Sequence, residues 1–317
     1  MFGKLFLKLF FIFLILATTP GYGQSLSAVD AKIRNYPSTR FDSVEQLAEM
    51  IAKDFDTDLD RARAIYSWIT NNVAYSFDAR SAMSISYRSE KERLEKLRQY
   101  QKRTATITLK TKEAVCHGYS MLFKELCDQL GIPCKIVRGF GKSFLSDIAS
   151  EFESNHAWNM VTIDNVDYLV DSTWGAGYMR GKRFIREVTD IYFLTPPEIF
   201  VRNHYPQDSR DSLLNEIIGK EDFLNGPLVY EAGLADYQLN KPTSGTLERK
   251  ESHSFEIESK IPISRIRMYY NGEWHDVDEL KVSNTKYNFQ VSLPNKVDDE
   301  LIIYLDSEAI FGFKVKS

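Results

Sequence analysis

Cys116 sits in the run Val115-Cys116-His117-Gly118-Tyr119-Ser120, where a helix is expected to begin. Forty residues later the chain reads Asn155-His156-Ala157-Trp158, and fifteen after that Asp171-Ser172-Thr173-Trp174-Gly175. A cysteine, a histidine and an aspartate in this order are the inventory of a thiol nucleophile, its base and the group that orients the base. A thiolate attacks acyl carbons, so the trio points to acyl transfer: hydrolysis of a peptide or amide, or transfer to an amine. A helix start favours a negative charge through its dipole and free N–H groups, which lowers a thiol pKa. The Cys116 N–H is also a natural donor to an oxyanion there.

His117 competes with His156 as the base. A neighbour on a helix projects about 100° away around the axis, which makes His117 a structural or substrate contact instead. His204 qualifies as a base by counting alone, with no acid at a supporting spacing. Gly118 would let a backbone approach closely, and Trp158 and Trp174 read as core or as walls of a cleft. Trp158, Trp174, His117 and Gly118 are therefore the expected substrate contacts.

The elements that must hold these residues are legible around them. Ser43 with Gln46, and Thr57 with Asp60, mark the starts of two helices. Leu47, Met50 and Ile51 share a face of the first, and Ala62, Ile65, Trp68 and Ile69 of the second. A stripe of Tyr119, Leu122, Phe123, Leu126 and Leu130 predicts the strongest helix over 113–130, ended by Gly131 and Pro133. Strands are expected over 134–140, 156–163 and 166–172, with Asp164-Asn165 as a two-residue hairpin turn. That turn pairs Ile163 with Val166 and puts His156 and Asp171 on one face as diagonal neighbours. The polar, basic stretch 78–112 reads as a solvated helix and loop, or else as a flap beside the site. From about residue 245, short alternating strands and the Asn271-Gly272 turn suggest a small β-sandwich.

With 317 residues, 43% of them hydrophobic, the chain is long enough for one large or two medium domains. The formal charge of -4 argues against nucleic acid as a partner. Lys4, Lys8, the apolar run Leu9 to Ala17 and the small Gly21 and Gly23 read as a secretory signal peptide over 1–23. Its loss removes two lysines and takes the charge from -4 to -6. No cysteine follows the cleavage point to carry a lipid, so no stable membrane anchor is expected afterwards. The expected location is exported, periplasmic or secreted. The mature chain holds three cysteines, an odd number that leaves one thiol free. Cys127 and Cys134 either pair or serve as small buried hydrophobes. Cys116, His117, Cys127 and Cys134 make a poor zinc set, since two are adjacent and no C-x-x-C is present. No phosphate loop, dinucleotide fingerprint or calcium loop appears, and no cofactor is implied.

Four segments together resemble the transglutaminase-like superfamily, a branch of the papain-like thiol enzymes. They are Ala64-Ile65-Tyr66-Ser67-Trp68-Ile69, Val115-Cys116-His117-Gly118-Tyr119-Ser120, Asn155-His156-Ala157-Trp158-Asn159 and Val170-Asp171-Ser172-Thr173-Trp174. Phe193-Leu194-Thr195-Pro196-Pro197 and the β-rich tail look like the kyphoscoliosis peptidase and cytokinesis-protein group within it. The resemblance implies an α+β fold: an antiparallel sheet, a nucleophile helix packed on it, and Cys116, His156 and Asp171 as the triad. The resulting layout is a signal peptide (1–23), a transglutaminase-like catalytic domain (24–220), a linker (221–244) and a β-sandwich (245–317). The expected function is that of an exported thiol-dependent acyl-transfer enzyme acting on a protein or peptide substrate. The alternative is a catalytically silent scaffold that binds a protein or surface glycan through the sandwich.

Overall fold

A computed structural model describes residues 20–36, 41–79, 86–248, 252–293 and 299–316. The expected signal segment lies outside the described residues as far as residue 19; from Pro20 the chain is helical. Helix α1 (Pro20–Arg34) precedes α2 (Val44–Asp54) and α3 (Asp58–Asn72). Ser43 and Thr57 cap the latter two by accepting from the backbone N–H groups of Gln46 and Asp60. Trp68 packs edge-on against Phe41 in the core.

The segment read as a solvated helix or flap forms α4 (Glu90–Thr111), which packs along α5 (Cys116–Leu130). Gln101, Ala105, Thr108 and Leu109 are its buried residues. Arg98 and Gln101 of α4 meet the buried Glu125 carboxylate of α5 at 2.5 Å and 3.0 Å. This ties the two helices together with charge-assisted bonds. A short parallel pair, β1 (Ala74–Tyr75) and β2 (Glu113–Ala114), leads the chain into α5. Gly131, at φ +73°, ends that helix in the left-handed conformation only glycine takes without cost.

Strands β3 (Cys134–Gly141), β4 (His156–Ile163) and β5 (Val166–Val170) follow. After the hairpin β6 (Gly177–Arg180) and β7 (Arg183–Arg186), β8 (Phe193–Thr195) and β9 (His204–Pro206) complete an antiparallel sheet in the order β8-β5-β4-β3-β9. Asp164 and Asn165 both have positive φ, at 51° and 63°, as a type I′ turn requires. Ile163 pairs with Val166, and the ladder runs to Asn159–Val170, so the predicted register holds. β5 stops at Val170, which leaves Asp171 just past the strand end.

Alternation along β4 divides its side chains between two cores. Val161 and Ile163 join the helices α2, α3 and α5 in one apolar cluster. Trp158 and Met160 point the other way, into a second cluster with Leu169, Tyr192 and Phe200. That second core is continuous with the C-terminal β-structure. The strands there are β10 (Leu228–Val229), β11 (Tyr237–Lys241), β12 (Thr246–Glu248), β13 (His253–Ser259), β14 (Ile266–Tyr270), β15 (Glu273–Asp276), β16 (Asp278–Ser283), β17 (Lys286–Val291), β18 (Asp299–Leu305) and β19 (Glu308–Lys316). They form two sheets, β10-β19-β18-β14-β15 with β12 on β19, and β11-β13-β17-β16. The span 221–244, expected as a linker, is not one: β10 pairs with β19 and β11 with β13. Their apolar residues Val229, Leu234 and Tyr237 belong to the shared core.

Candidate active site

The site is built where α5, β4 and the end of β5 converge. Cys116 is the first residue of α5, after Val115, an N-cap with no side-chain bond to the free amides. Their N–H groups stay available to a negative charge. Ser120, one turn on, donates to the Ala157 carbonyl at 2.9 Å, and Asn159 donates to the Ser120 carbonyl at 3.1 Å. These bonds fasten the helix start to β4 beside His156. Asn155 clasps the facing strand, accepting from the Gly141 N–H at 2.8 Å and donating to its carbonyl at 3.2 Å. A Cβ on Gly141 would lie 3.0 Å from Trp174 Cζ2 and 3.2 Å from His156 Cβ. A glycine lets β3 pass close behind the imidazole, where any side chain would crowd both rings.

His156 Nε2 lies 2.6 Å from Asp171 Oδ2. With Nε2 committed there, Nδ1 is the nitrogen left for the thiol. The other Asp171 oxygen accepts from the backbone N–H groups of Thr173 at 2.8 Å and Trp174 at 3.2 Å. The strand-end turn and the orienting carboxylate are thus one structure. Burial opposes the Asp171 charge, but His156 and His204 outweigh it and hold the carboxyl well below the usual carboxylate range. Burial likewise works against a charged His156, yet Asp171 and the Cys116 thiol push its pKa up to about 10. Burial raises the Cys116 thiol, and hydrogen bonding and charge from His156 pull it below its ordinary value. The two groups therefore favour a thiolate beside an imidazolium.

The other expected contacts fall differently. Trp174 is half-buried, with its ring 5.2 Å from that of His156, and roofs the imidazole. Trp158 is only 1% exposed and lies behind the site, so it is core rather than a cleft wall. Gly118 does permit a close approach, but to α4: a Cβ there would meet Ala114 Cβ and Thr108 Oγ1 at 2.7 Å. Two positions along a helix from Cys116, it points away from the thiol. His117 lines a groove of about 760 Å³ with Gln101, Met121, Ile136, Arg138 and Gln207. Burial and the nearby Arg138 guanidinium depress its pKa.

His204 is the residue that sequence spacing misses. It is buried, 3.0 Å from Asp171 Oδ2 through Nε2 and 2.6 Å from Asn203 Oδ1 through Nδ1. Phe200 stacks on it at 4.1 Å, one turn earlier in α6 (Pro197–Phe200), and Trp174 lies at 4.3 Å. Pro196-Pro197 marks the start of that turn in the sequence, but the return to β3 is made by strand pairing that no local signal discloses. The ligand atoms of His156, Asp171 and His204 lie within 4.8 Å of one another, as a metal site's would. Their direct hydrogen bonds already use the positions an ion would need. The zinc set weighed from the sequence does not assemble: Cys127 is eleven residues beyond Cys116, roughly 16 Å along the helix. Cys116, Cys127 and Cys134 are all free thiols. Cys127 is buried beside Cys134, which accepts from Asn159 Nδ2 at 3.6 Å.

Residues 45–174 match the family model of the transglutaminase-like superfamily. The chain is 31% identical over 196 residues to the human kyphoscoliosis peptidase, covering 57% of this chain and 27% of that protein. The mouse kyphoscoliosis peptidase is 28% identical over 251 residues, covering 77% and 35%. Cytokinesis protein 3 of Saccharomyces cerevisiae is 26% identical over 214 residues, covering 66% and 22%. The chain thus spans about a third or less of the length of these relatives. Over residues 45–174 the chain is thus similar to the transglutaminase-like superfamily, and within it to the kyphoscoliosis peptidase and cytokinesis-protein group.

Proposed function

We propose that the chain is an exported thiol-dependent acyl-transfer enzyme acting on peptide or amide bonds. The observation that carries this reading is the 2.6 Å bond from His156 Nε2 to Asp171, which leaves Nδ1 for Cys116. The Cys116 thiolate attacks the carbonyl carbon and forms a C–S bond, and the carbonyl oxygen takes up negative charge. Backbone N–H groups at the start of α5 stabilise that oxyanion. The His156 imidazolium gives its proton to the leaving amine as the C–N bond breaks, leaving a thioester and neutral imidazole. Water, or a second amine, then attacks the thioester; His156 takes its proton, and Cys116 departs as thiolate. Hydrolysis is favoured slightly over amine transfer, because among the described residues no side chain identifies an amine-acceptor site. The groove lined by His117 and Arg138 is the proposed path for the substrate chain; none of the triad lines it, and the link to Cys116 is through its neighbour His117.

The test is the rate of Cys116 alkylation against pH, with His156→Ala as control. A fast reaction well below pH 8.5 that is lost in the control supports the reading. A slow, ordinary thiol in both proteins sinks it. Export is tested separately by sequencing the N-terminus of protein recovered outside the cytoplasm, with Gln24 expected first.

A scaffold reading rests on a different observation, the aromatic surface of β14, β15 and β18. Trp274 is 47% exposed, with Arg267 4.5 Å over its ring and Tyr304 4.6 Å away. Under that reading, Trp274→Ala abolishes binding of a protein or glycan, while Cys116→Ala leaves function intact.

A further inference from the structure

We infer that His204 is a positioning residue for the catalytic carboxylate, a neutral imidazole that donates from Nε2 to Asp171 and so fixes the oxygen on which His156 depends. This rests on the thiol-enzyme reading above. Asp171 Oδ2 lies 2.6 Å from His156 Nε2 and 3.0 Å from His204 Nε2, so one oxygen carries both histidines. A carboxylate oxygen has lone pairs for two donors, and the other oxygen is filled by two backbone N–H groups. All four donor directions around the carboxylate are then occupied, and Asp171 cannot rotate without breaking several bonds at once.

His204 is itself immobilised. Its ring is enclosed by Phe200, Trp174, Trp158, Tyr192 and His156, with centroids 4.1 to 5.8 Å away. Its backbone is held by the pairing of β9 with Gly141 of β3, the glycine that also abuts His156. The charged groups facing the ring are Asp171 and His156, with the Tyr192 hydroxyl reached through Asn203. Burial drives the ring to its neutral form, with a pKa near 4. A neutral imidazole has one N–H. The structure sets Asn203 Oδ1 on Nδ1 and Nδ2 on the Tyr192 hydroxyl; with the proton on Nε2, Nδ1 accepts, which requires the amide turned so that NH₂ faces the ring. The Asn203 oxygen then accepts the Tyr192 hydroxyl proton. The two amide orientations have the same shape, so the protonated ring nitrogen decides between them.

Two measurements test the assignment. In ¹⁵N-histidine spectra of the wild-type protein, His204 is expected as the Nε2–H tautomer from pH 6 to 9. A proton on Nδ1 alone, or on both nitrogens, overturns the neutral-donor assignment without any variant having to fold. In His204→Phe, the limiting rate of Cys116 alkylation should fall about tenfold or more, the scale of one lost hydrogen bond to a charged group. Its pH midpoint should move up towards that of an ordinary thiol, and His204→Gln, which retains an N–H, should recover much of both. A folded His204→Phe protein with wild-type rate and midpoint overturns the positioning role. A wild-type thiol that is already ordinary would instead defeat the enzyme reading, while the tautomer measurement would still decide the His204–Asp171 bond.

Discussion

Asp171 carries the largest electrostatic load of any residue in the site, since every group around it donates. Replacing it with Asn keeps the shape but turns an NH₂ either to both histidines or to the Thr173 and Trp174 N–H groups. By the loss seen when other triads exchange Asp for Asn, the rate should fall about 10³- to 10⁴-fold. Steady-state kinetics on any cleaved amide would measure it. The raised His156 and lowered Cys116 values set the pH window. The ion pair forms as pH rises through the depressed thiol value and is lost as pH passes about 10, where His156 gives up its proton. A rate profile that instead rises only around pH 8.5 contradicts this. His204 acts on stability in the opposite direction. Its native pKa near 4 lies below the unfolded value of about 6.5, so the unfolded chain takes up a proton that the native one refuses. Stability should fall by about 3 kcal/mol as pH drops from 6.5 to 4, and urea unfolding of wild type and His204→Gln should show a shallower slope in the variant. His156 contributes the reverse: its share is present below pH 6.5 and lost towards 10.

At the scale of elements, Gly141 is the point where packing and chemistry meet. Gly141→Ala places a methyl 3.0 Å from Trp174 and 3.2 Å from His156 Cβ, so the imidazole must tilt. Activity should drop at least tenfold while the far-UV circular dichroism stays native; an unchanged rate would show that the strand end yields instead. The elements around it also explain what the sequence does and does not disclose. α5 and β4 were legible because an apolar stripe ended by Gly131 and Pro133, and an alternating run ended by Asp164-Asn165, are local signals. They brought Cys116, His156 and Asp171 into view. The strand β16 was not legible, because Leu280 and Val282 alternate with polar residues over too short a span to register, and all six of its residues are exposed. β10 has two residues and β12 three, too few for any period to register. His204 stayed hidden because it reaches Asp171 across 33 residues of chain through β9–β3 pairing. Trp158 was ambiguous for a related reason: alternation assigns it to a face of the sheet, but not to what covers that face.

The whole molecule supplies that cover. The sheet is a middle layer, with helices on the Val161 face and the sandwich on the Trp158 face, and the second core runs unbroken from Phe200 and Tyr192 to Phe313. A chain cut after residue 220 would expose Trp158, Met160, Leu169 and Phe200 to water, at a cost of about 1.5–3 kcal/mol for each large apolar side chain. It should therefore fail to fold, or collect as aggregate, where the full chain stays monodisperse in gel filtration. On the open side, the groove sets Arg138 beside Asp208 and Asp211; Arg138→Glu removes its cation and should raise KM for acidic peptides several-fold with little change in kcat, as a comparison of acidic and basic substrates would show. The shared core has a genetic consequence. Variants on the tail side of that core, Leu234→Ala or Met268→Ala for example, never approach the thiol, yet they loosen the layer against which Trp158 and His204 rest. In a screen for lost activity they would score beside changes at the triad, and a map of such hits would run through both halves of the chain instead of stopping at residue 220.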